Sequence, residues 1–340
     1  MLHENAGIGH SGKGLNMDTV YRSNFAPYIS DMISYKKALG YSELTYRQNL
    51  LNFDRFCYDK YPEEKNITQE LVNEWLVARP NEHINGVKRR ASAVRALAKY
   101  MNAVGVSAYI MPIGVLGRDK PFTPYIYSNS ELESFFQAAD QYPESIRSPL
   151  KEHTVPVLFR LIYSCGLRPQ EARKLKRSDV DFDSKTIYIS DSKRHKDRLI
   201  PVDPGILNIC KEYDVVANVM FPSRIYFFQF SGNNKPCSNE WVNVVFRKCW
   251  QLSGIQFFHN GQTPRVFDFR HNYASRRIMQ WLDGGKDLNV LAPYLSAYMG
   301  HVNLSDTFYY VHLIPDLIAN TPSIDWNKMS WCIPEVHCNE

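Results

Sequence analysis

Five side chains of the types that phosphoryl transfer uses lie between residues 168 and 310 of a 340-residue chain. Arg168, in CGLRPQEARKLKRSDVDF, and Arg270, in VFDFRHNYAS, carry planar forks that can clamp phosphate oxygens and stabilise charge in a pentacoordinate transition state without a metal. Lys193, in SKRHKDRLIPV, is a flexible cation with a movable proton, suited to protonating a departing oxygen as arginine is not. Lys196 is its rival. His301 can hydrogen-bond a phosphate oxygen through one ring nitrogen. Tyr310, nine residues further on in LSAYMGHVNLSDTFYYVHL, carries a phenol of pKa near 10, a poor attacker unless neighbouring cations and a base help it lose its proton. On a helix the adjacent Tyr309 points about 100° away, so only one of the two can face a common target.

Singly, each residue has a plainer reading. Arg168 suits a salt bridge at a helix start, Lys193 the solubility of an exposed turn, and His301 the cap after a glycine. Jointly, their order and spacing resemble the tyrosine recombinase, or phage integrase, family. Arg168 and Glu171 fit its first box, Gly-Leu-Arg with a Glu three residues on. SKRHKDRLIPV fits Lys-x-x-Lys-x-Arg-x-x-Pro, with Arg198 and Pro201 fixing the frame. Arg270 fits the arginine of His-x-x-Arg-His, and His301 and Tyr310 fit Leu-Gly-His followed by Thr-x-x-Tyr. The resemblance spans Pro149 to Asp316. It extends loosely to ALGYSELTYRQNLLNFDRF, which looks like the family's core-binding domain. One departure stands out: Phe267 occupies the place of the first histidine of the second box, and a phenyl ring neither hydrogen-bonds phosphate nor shuttles a proton. His271 does not fill that gap, because the family usually has a histidine there too.

The resemblance implies Arg168, Lys193, Arg270, His301 and Tyr310 as catalytic residues braced by Glu171, acting through a 3′-phosphotyrosine with no cofactor or metal. It implies a mainly α fold with a small antiparallel β-sheet in the catalytic domain, and two domains forming a C-shaped clamp on double-stranded DNA. The activity implied is site-specific recombination, as integration, excision or transposition of a mobile genetic element. The implied setting is bacterial cytoplasm, at the nucleoid, as a homotetramer on paired sites with accessory DNA-bending or directionality proteins. Phe267 leaves open a weakly catalytic or non-catalytic DNA-binding relative. A type IB topoisomerase-like strand transferase is the other alternative.

The elements that must position these residues divide at a linker. Residues 1–23 are expected to be disordered, Met17 being a candidate start. From Asn24 to Val106 the helical spacing of apolar residues predicts four helices, with Gly40 stopping the first and Thr68 and Glu70 opening the third. The fourth, Asn85 to Met101, carries Lys88, Arg89, Arg90, Arg95 and Lys99 with no acid among them. By the family analogy Lys88, Arg89 and Arg90, with Arg47, are expected to contact DNA phosphates, a salt-sensitive and sequence-independent contribution. Residues 107–128 carry the prolines and glycines of a linker. The catalytic domain then spans 129–323. In it, helices are expected at Ser130–Ala139, Val155–Ser164 and from Gly166 to about Lys176, then strands KTIYIS and RLIPV, then helices at Asn239–Gln251, Phe267–Leu282, Asn289–Tyr298 and Ser305–Tyr310.

The tail, 324–340, adds Ile324, Trp326, Trp331 and Ile333 to an apolar stretch that needs burial, in cis or against a neighbouring protomer. A net charge of +5 permits nucleic acid without demanding it. The seven cysteines show no CxxC pair, which fits reduced thiols. Cys332, His337 and Cys338 lack zinc spacing. No apolar run is long enough to cross a bilayer.

Overall fold

A computed structural model describes residues 20–117, 123–146, 148–190, 197–229, 234–257 and 262–311. The chain divides into two compact units between residues 121 and 122. The first unit consists of helices α1 (Ala26–Ala38), α2 (Leu44–Lys60), α3 (Gln69–Trp75) and α4 (Ile84–Ala103). Gly40, at φ +79°, takes the chain out of α1, a conformation that costs a side chain about 1–2 kcal/mol. The Thr68 hydroxyl accepts the Leu71 N–H and caps α3. Phe25, Ile29, Met32, Phe53, Trp75, Val94, Leu97 and Met101 make its core. The buried Asp54 accepts the Arg22 and Ser23 backbone N–H groups and the Ser23 hydroxyl. The packed unit therefore reaches back to Arg22 rather than beginning at Asn24.

In the second unit, α5 (Asn129–Asp140), α6 (Lys151–Ser164) and α7 (Pro169–Lys174) lead into strands β1 (Val180–Asp181), β2 (Thr186–Ile189) and β3 (Arg198–Pro201). The strands form one antiparallel sheet in the order β1-β2-β3, with Val180 opposite Ile187 and Ile189 opposite Arg198. Then come α8 (Pro204–Met220), α9 (Asn239–Leu252), α10 (Asp268–Asp283), α11 (Leu288–Met299) and α12 (Ser305–Phe308). The fold is thus mainly helical with a small three-stranded sheet.

Helix α8 was not anticipated. Asp203, whose carboxylate accepts the Gly205 and Ile206 N–H groups, and Pro204 in the first turn are its start signal. Leu207, Cys210, Tyr213 and Ala217 form its buried stripe, and Val215 and Val219 lie on its exposed side.

Two features of this unit place the site. Phe269 on α10 is buried among Phe135, Phe159 and Phe246, with ring centroids 5.2, 6.2 and 5.6 Å away, which fixes the register of the neighbouring Arg270. A smaller apolar cluster between α10 and α11, with Ala274, Ile278, Leu295 and Met299, takes in Tyr310. No helix among the described residues is long and apolar enough to cross a membrane.

Candidate active site

Arg168 stands at the cap of α7, where its backbone N–H reaches Glu171 Oε2 at 2.9 Å and its Nη1 donates to Glu171 Oε1 at 2.6 Å. Its Nη2 donates to the Gly300 carbonyl at 2.9 Å. Arg270, 1% exposed, donates to the Gly166 carbonyl at 2.7 Å and the Met299 carbonyl at 2.6 Å. Both glycines are structural requirements. A β-carbon at Gly166 (φ +59°) would come within 2.5 Å of the Tyr273 ring, and one at Gly300 (φ +64°) within 2.9 Å of Arg198 Nη1. A left-handed backbone and a close neighbour together exclude any side chain without movement.

Glu171 is the shared anion. Arg198 on β3 donates to both its oxygens, at 3.1 and 3.0 Å, and Arg270 Nη1 lies 4.0 Å from Oε2. Burial pushes the Glu171 carboxyl up, but the hydrogen bonds and charges of Arg198, with Arg270, hold it below the usual carboxylate range. Three guanidiniums around one carboxylate leave uncompensated positive charge in a largely dehydrated place, where an anion is attracted most strongly. Burial and the Arg168 charge lower Arg270 to about 10, so it stays a cation at neutral pH.

Tyr310 is brought into this charge. The Arg270 guanidinium lies near its phenol and favours the phenolate by charge and hydrogen bonding. Its ring stacks on His301, centroids 5.8 Å apart and planes 23° apart, and lies 5.6 Å from the ring of His271. Burial raises the phenol above its ordinary pKa, while Arg270 and Arg168 work against that rise. His301 Nδ1 shares a hydrogen bond of 2.7 Å with the Thr307 hydroxyl. Burial first, then the Arg270 and Arg168 charges, push His301 down to about 4, so the ring is neutral at pH 7. His271 is pushed down to about 4 as well, by burial and by Arg265 and Arg270.

Of the residues expected from sequence, Arg168, Glu171, Arg270, His301 and Tyr310 therefore converge. Phe267 lies at the start of α10, 39% exposed, with its ring 5.2 Å from that of His271. Lys193 and its rival Lys196 lie outside the described residues, as does the Cys332, His337 and Cys338 group. Arg198 was missed as a site residue, although the arginine of SKRHKDRLIPV was its signal.

In the first unit, Arg89 is exposed while Arg47 and Lys88 are half-buried. Arg90 is different, at 3% exposure. It donates to Glu82 through Nε at 2.8 Å and Nη2 at 2.6 Å, and to the carbonyls of Trp75 and Val77. Its guanidinium is engaged inside the unit, so the DNA-contact expectation narrows to Arg47, Lys88 and Arg89. The basic run does have its acid, in the loop before α4.

The family model of the phage integrase family matches residues 127–316. A putative integrase/recombinase of Sinorhizobium fredii, y4rB, is 29% identical over 87% of this chain and 95% of its own length. The tyrosine recombinase XerD of Rickettsia prowazekii is 23% identical over 85% of this chain and 92% of its own. In fold, the chain resembles XerH site-specific recombinase in a post-cleavage complex with a palindromic difH substrate, with a TM-score of 0.62 and 18% identity over 85% of this chain and 79% of that one. A lambda integrase (75–356) dimer bound to a COC′ core site gives the same TM-score at 15% identity, over 88% of this chain and 98% of that one.

Proposed function

The chain belongs to the phage integrase family, and on that premise we propose that it recombines duplex DNA at specific sites with Tyr310 as nucleophile. The Tyr310 oxygen attacks the scissile phosphorus, a phosphorus–oxygen bond to the tyrosine forms, and the bond to the 5′ oxygen breaks. Arg168 and Arg270 hold the non-bridging oxygens as charge accumulates on them, and His301 donates a further hydrogen bond there. Lys193 supplies the proton that the leaving 5′ oxygen needs. The product is a 3′-phosphotyrosine and a free 5′ hydroxyl, so the bond energy is stored and rejoining needs no ATP. Every one of these roles is carried by a side chain, and no step calls for a metal or cofactor.

The observation that carries this reading is the contact of one phenol with Arg270 and His301 beside a cluster in which three arginines share a single carboxylate. Phe267 takes the place of a proton-transfer group, so the phenolic proton falls to the neutral imidazole of His271, whose ring lies 5.6 Å from that of Tyr310, while Arg270 and Arg168 stabilise the phenolate. A slower first cleavage follows.

The second unit contains the catalytic domain, read as residues 129–323, and the first contains the core-binding domain, read as residues 24–106 and reaching back to Arg22, whose Arg47, Lys88 and Arg89 neutralise DNA phosphates. A tetramer on two paired sites is the assembly that paired strand exchange uses. Accessory DNA-bending or directionality proteins set which way the reaction runs.

The test uses nicked duplexes of candidate end sequences, whose broken strand escapes after cleavage and traps the intermediate. An adduct resistant to SDS is expected from the wild type and none from Tyr310→Phe, with DNA binding retained in both. An adduct that survives in Tyr310→Phe overturns the assignment. Binding without any wild-type adduct would instead identify a non-catalytic relative.

A further inference from the structure

The arginine at 198 performs no chemistry in the mechanism above, yet its guanidinium is the hub of the cluster. Its Nε donates to the Tyr298 carbonyl at 2.7 Å, and its Nη1 and Nη2 take one Glu171 oxygen each. The three carbonyls at the end of α11 are thus each held by a different arginine: Tyr298 by Arg198, Met299 by Arg270 and Gly300 by Arg168. A helix leaves its last carbonyls without intrahelical donors, and its C-terminal end favours cations. The same guanidiniums that gather around Glu171 therefore also locate the end of α11, and with it His301, the next residue. Gly300 belongs to this arrangement, since a β-carbon there would lie 2.9 Å from Arg198 Nη1. All three nitrogens of Arg198 are committed and its side chain is 9% exposed, which leaves it a role through its neighbours rather than on the phosphate.

We propose that Arg198 is a positioning residue for strand cleavage, fixing Glu171 and the end of α11 so that Arg168 and His301 meet the scissile phosphate together. This rests on the reading of Arg168 as a phosphate clamp. Arg198→Lys keeps the charge but loses the planar fork, so it cannot hold two carboxylate oxygens and a carbonyl at once.

The experiment compares a nicked duplex carrying the natural scissile phosphate with one carrying a methylphosphonate there. In the latter a methyl group replaces one non-bridging oxygen, the centre is neutral, and a cationic clamp has less charge to stabilise. Wild type, Arg168→Ala, Arg198→Lys and Arg198→Ala are assayed for DNA binding and single-turnover adduct formation. Arg198→Lys is expected to bind within about twofold of wild type and to cleave the natural phosphate about 100-fold more slowly, the usual scale for a displaced catalytic group. On the neutral linkage its penalty is expected to shrink to about tenfold, as for Arg168→Ala, because both act through the same lost electrostatic stabilisation. A general loss of structure would slow both linkages alike. Equal penalties, or no penalty, would overturn the proposal. Arg168→Ala relieved with Arg198→Lys unrelieved sinks the role of Arg198 alone, whereas Arg168→Ala unrelieved sinks the clamp reading beneath it. Should Arg198→Ala fail to fold, Arg198→Lys carries the test by itself.

Discussion

Arg90 in the first unit and Arg270 in the second are both buried arginines that donate to main-chain carbonyls, but their charges are balanced differently. Arg90 has a carboxylate of its own, Glu82, and lies over the Trp75 ring at 4.9 Å. Arg270 shares Glu171 with Arg168 and Arg198, and holds it at only 4.0 Å. A paired buried charge is closed to further ligands, while a surplus one attracts an anion and lowers the cost of a phenolate. Neither burial nor the density of basic residues along a helix marks a phosphate site. The ratio of guanidiniums to carboxylates within the cluster does.

Removing each charge without its bulk should separate the two cases most widely. Arg270→Met is expected to lower single-turnover cleavage about 10³-fold, or about 4 kcal/mol of transition-state stabilisation, with the fold kept. Arg90→Met is expected to leave Glu82 uncompensated and to cost about 3 kcal/mol of unfolding free energy, with cleavage by the remaining folded protein unchanged. Denaturant unfolding and adduct kinetics on both variants check this, and a catalytic defect in Arg90→Met or a large stability loss in Arg270→Met would erase the contrast.

Acid provides the next handle. His301 and His271 are held near 4 in the folded chain against an unfolded value of about 6.5, so between those limits the unfolded chain binds more protons. The sign follows: stability is fully present above pH 6.5 and falls as pH drops towards 4. With the Arg270 charge removed, both histidines should rise towards the unfolded value, which narrows the window and shrinks the loss. Unfolding curves from pH 7 to pH 4 test it, and a flat profile would show that the two rings are not held neutral.

The smallest effect is expected next door to Arg90. Arg89 is exposed, and its Nε donates to the Asn85 carbonyl one turn back at 3.3 Å. Arg89→Ala should weaken DNA binding about equally on any sequence and reduce the slope of log affinity against log salt by about 1. An unchanged slope would remove α4 from the DNA interface.

The sequence made the identities of the site legible and its construction much less so. Arg168, Arg270, His301 and Tyr310 stand out because each sits in a short motif of residues adjacent in the chain, so the pattern needs no tertiary information. The three carbonyls at the end of α11 have no sequence signature, since a backbone acceptor is the same in every residue and Gly300 lies 132 positions from Arg168. Arg90 misled for a related reason: its acid sits eight residues back, before the helix begins, where a helix-face pattern does not look. Helix α8 was legible and passed over: Asp203 and Pro204 announce its start, and the buried Leu207, Cys210, Tyr213 and Ala217 recur at helical spacing.

Which phenol takes the DNA decides the chemistry of the whole site. The decisive measurement is to trap the adduct on a nicked duplex, digest both protein and DNA, and identify by mass spectrometry the residue that retains the 3′-phosphate. Tyr310 is expected to carry it in every modified peptide. A phosphate on Tyr309, or on any other residue, would contradict the assignment of Tyr310 as nucleophile.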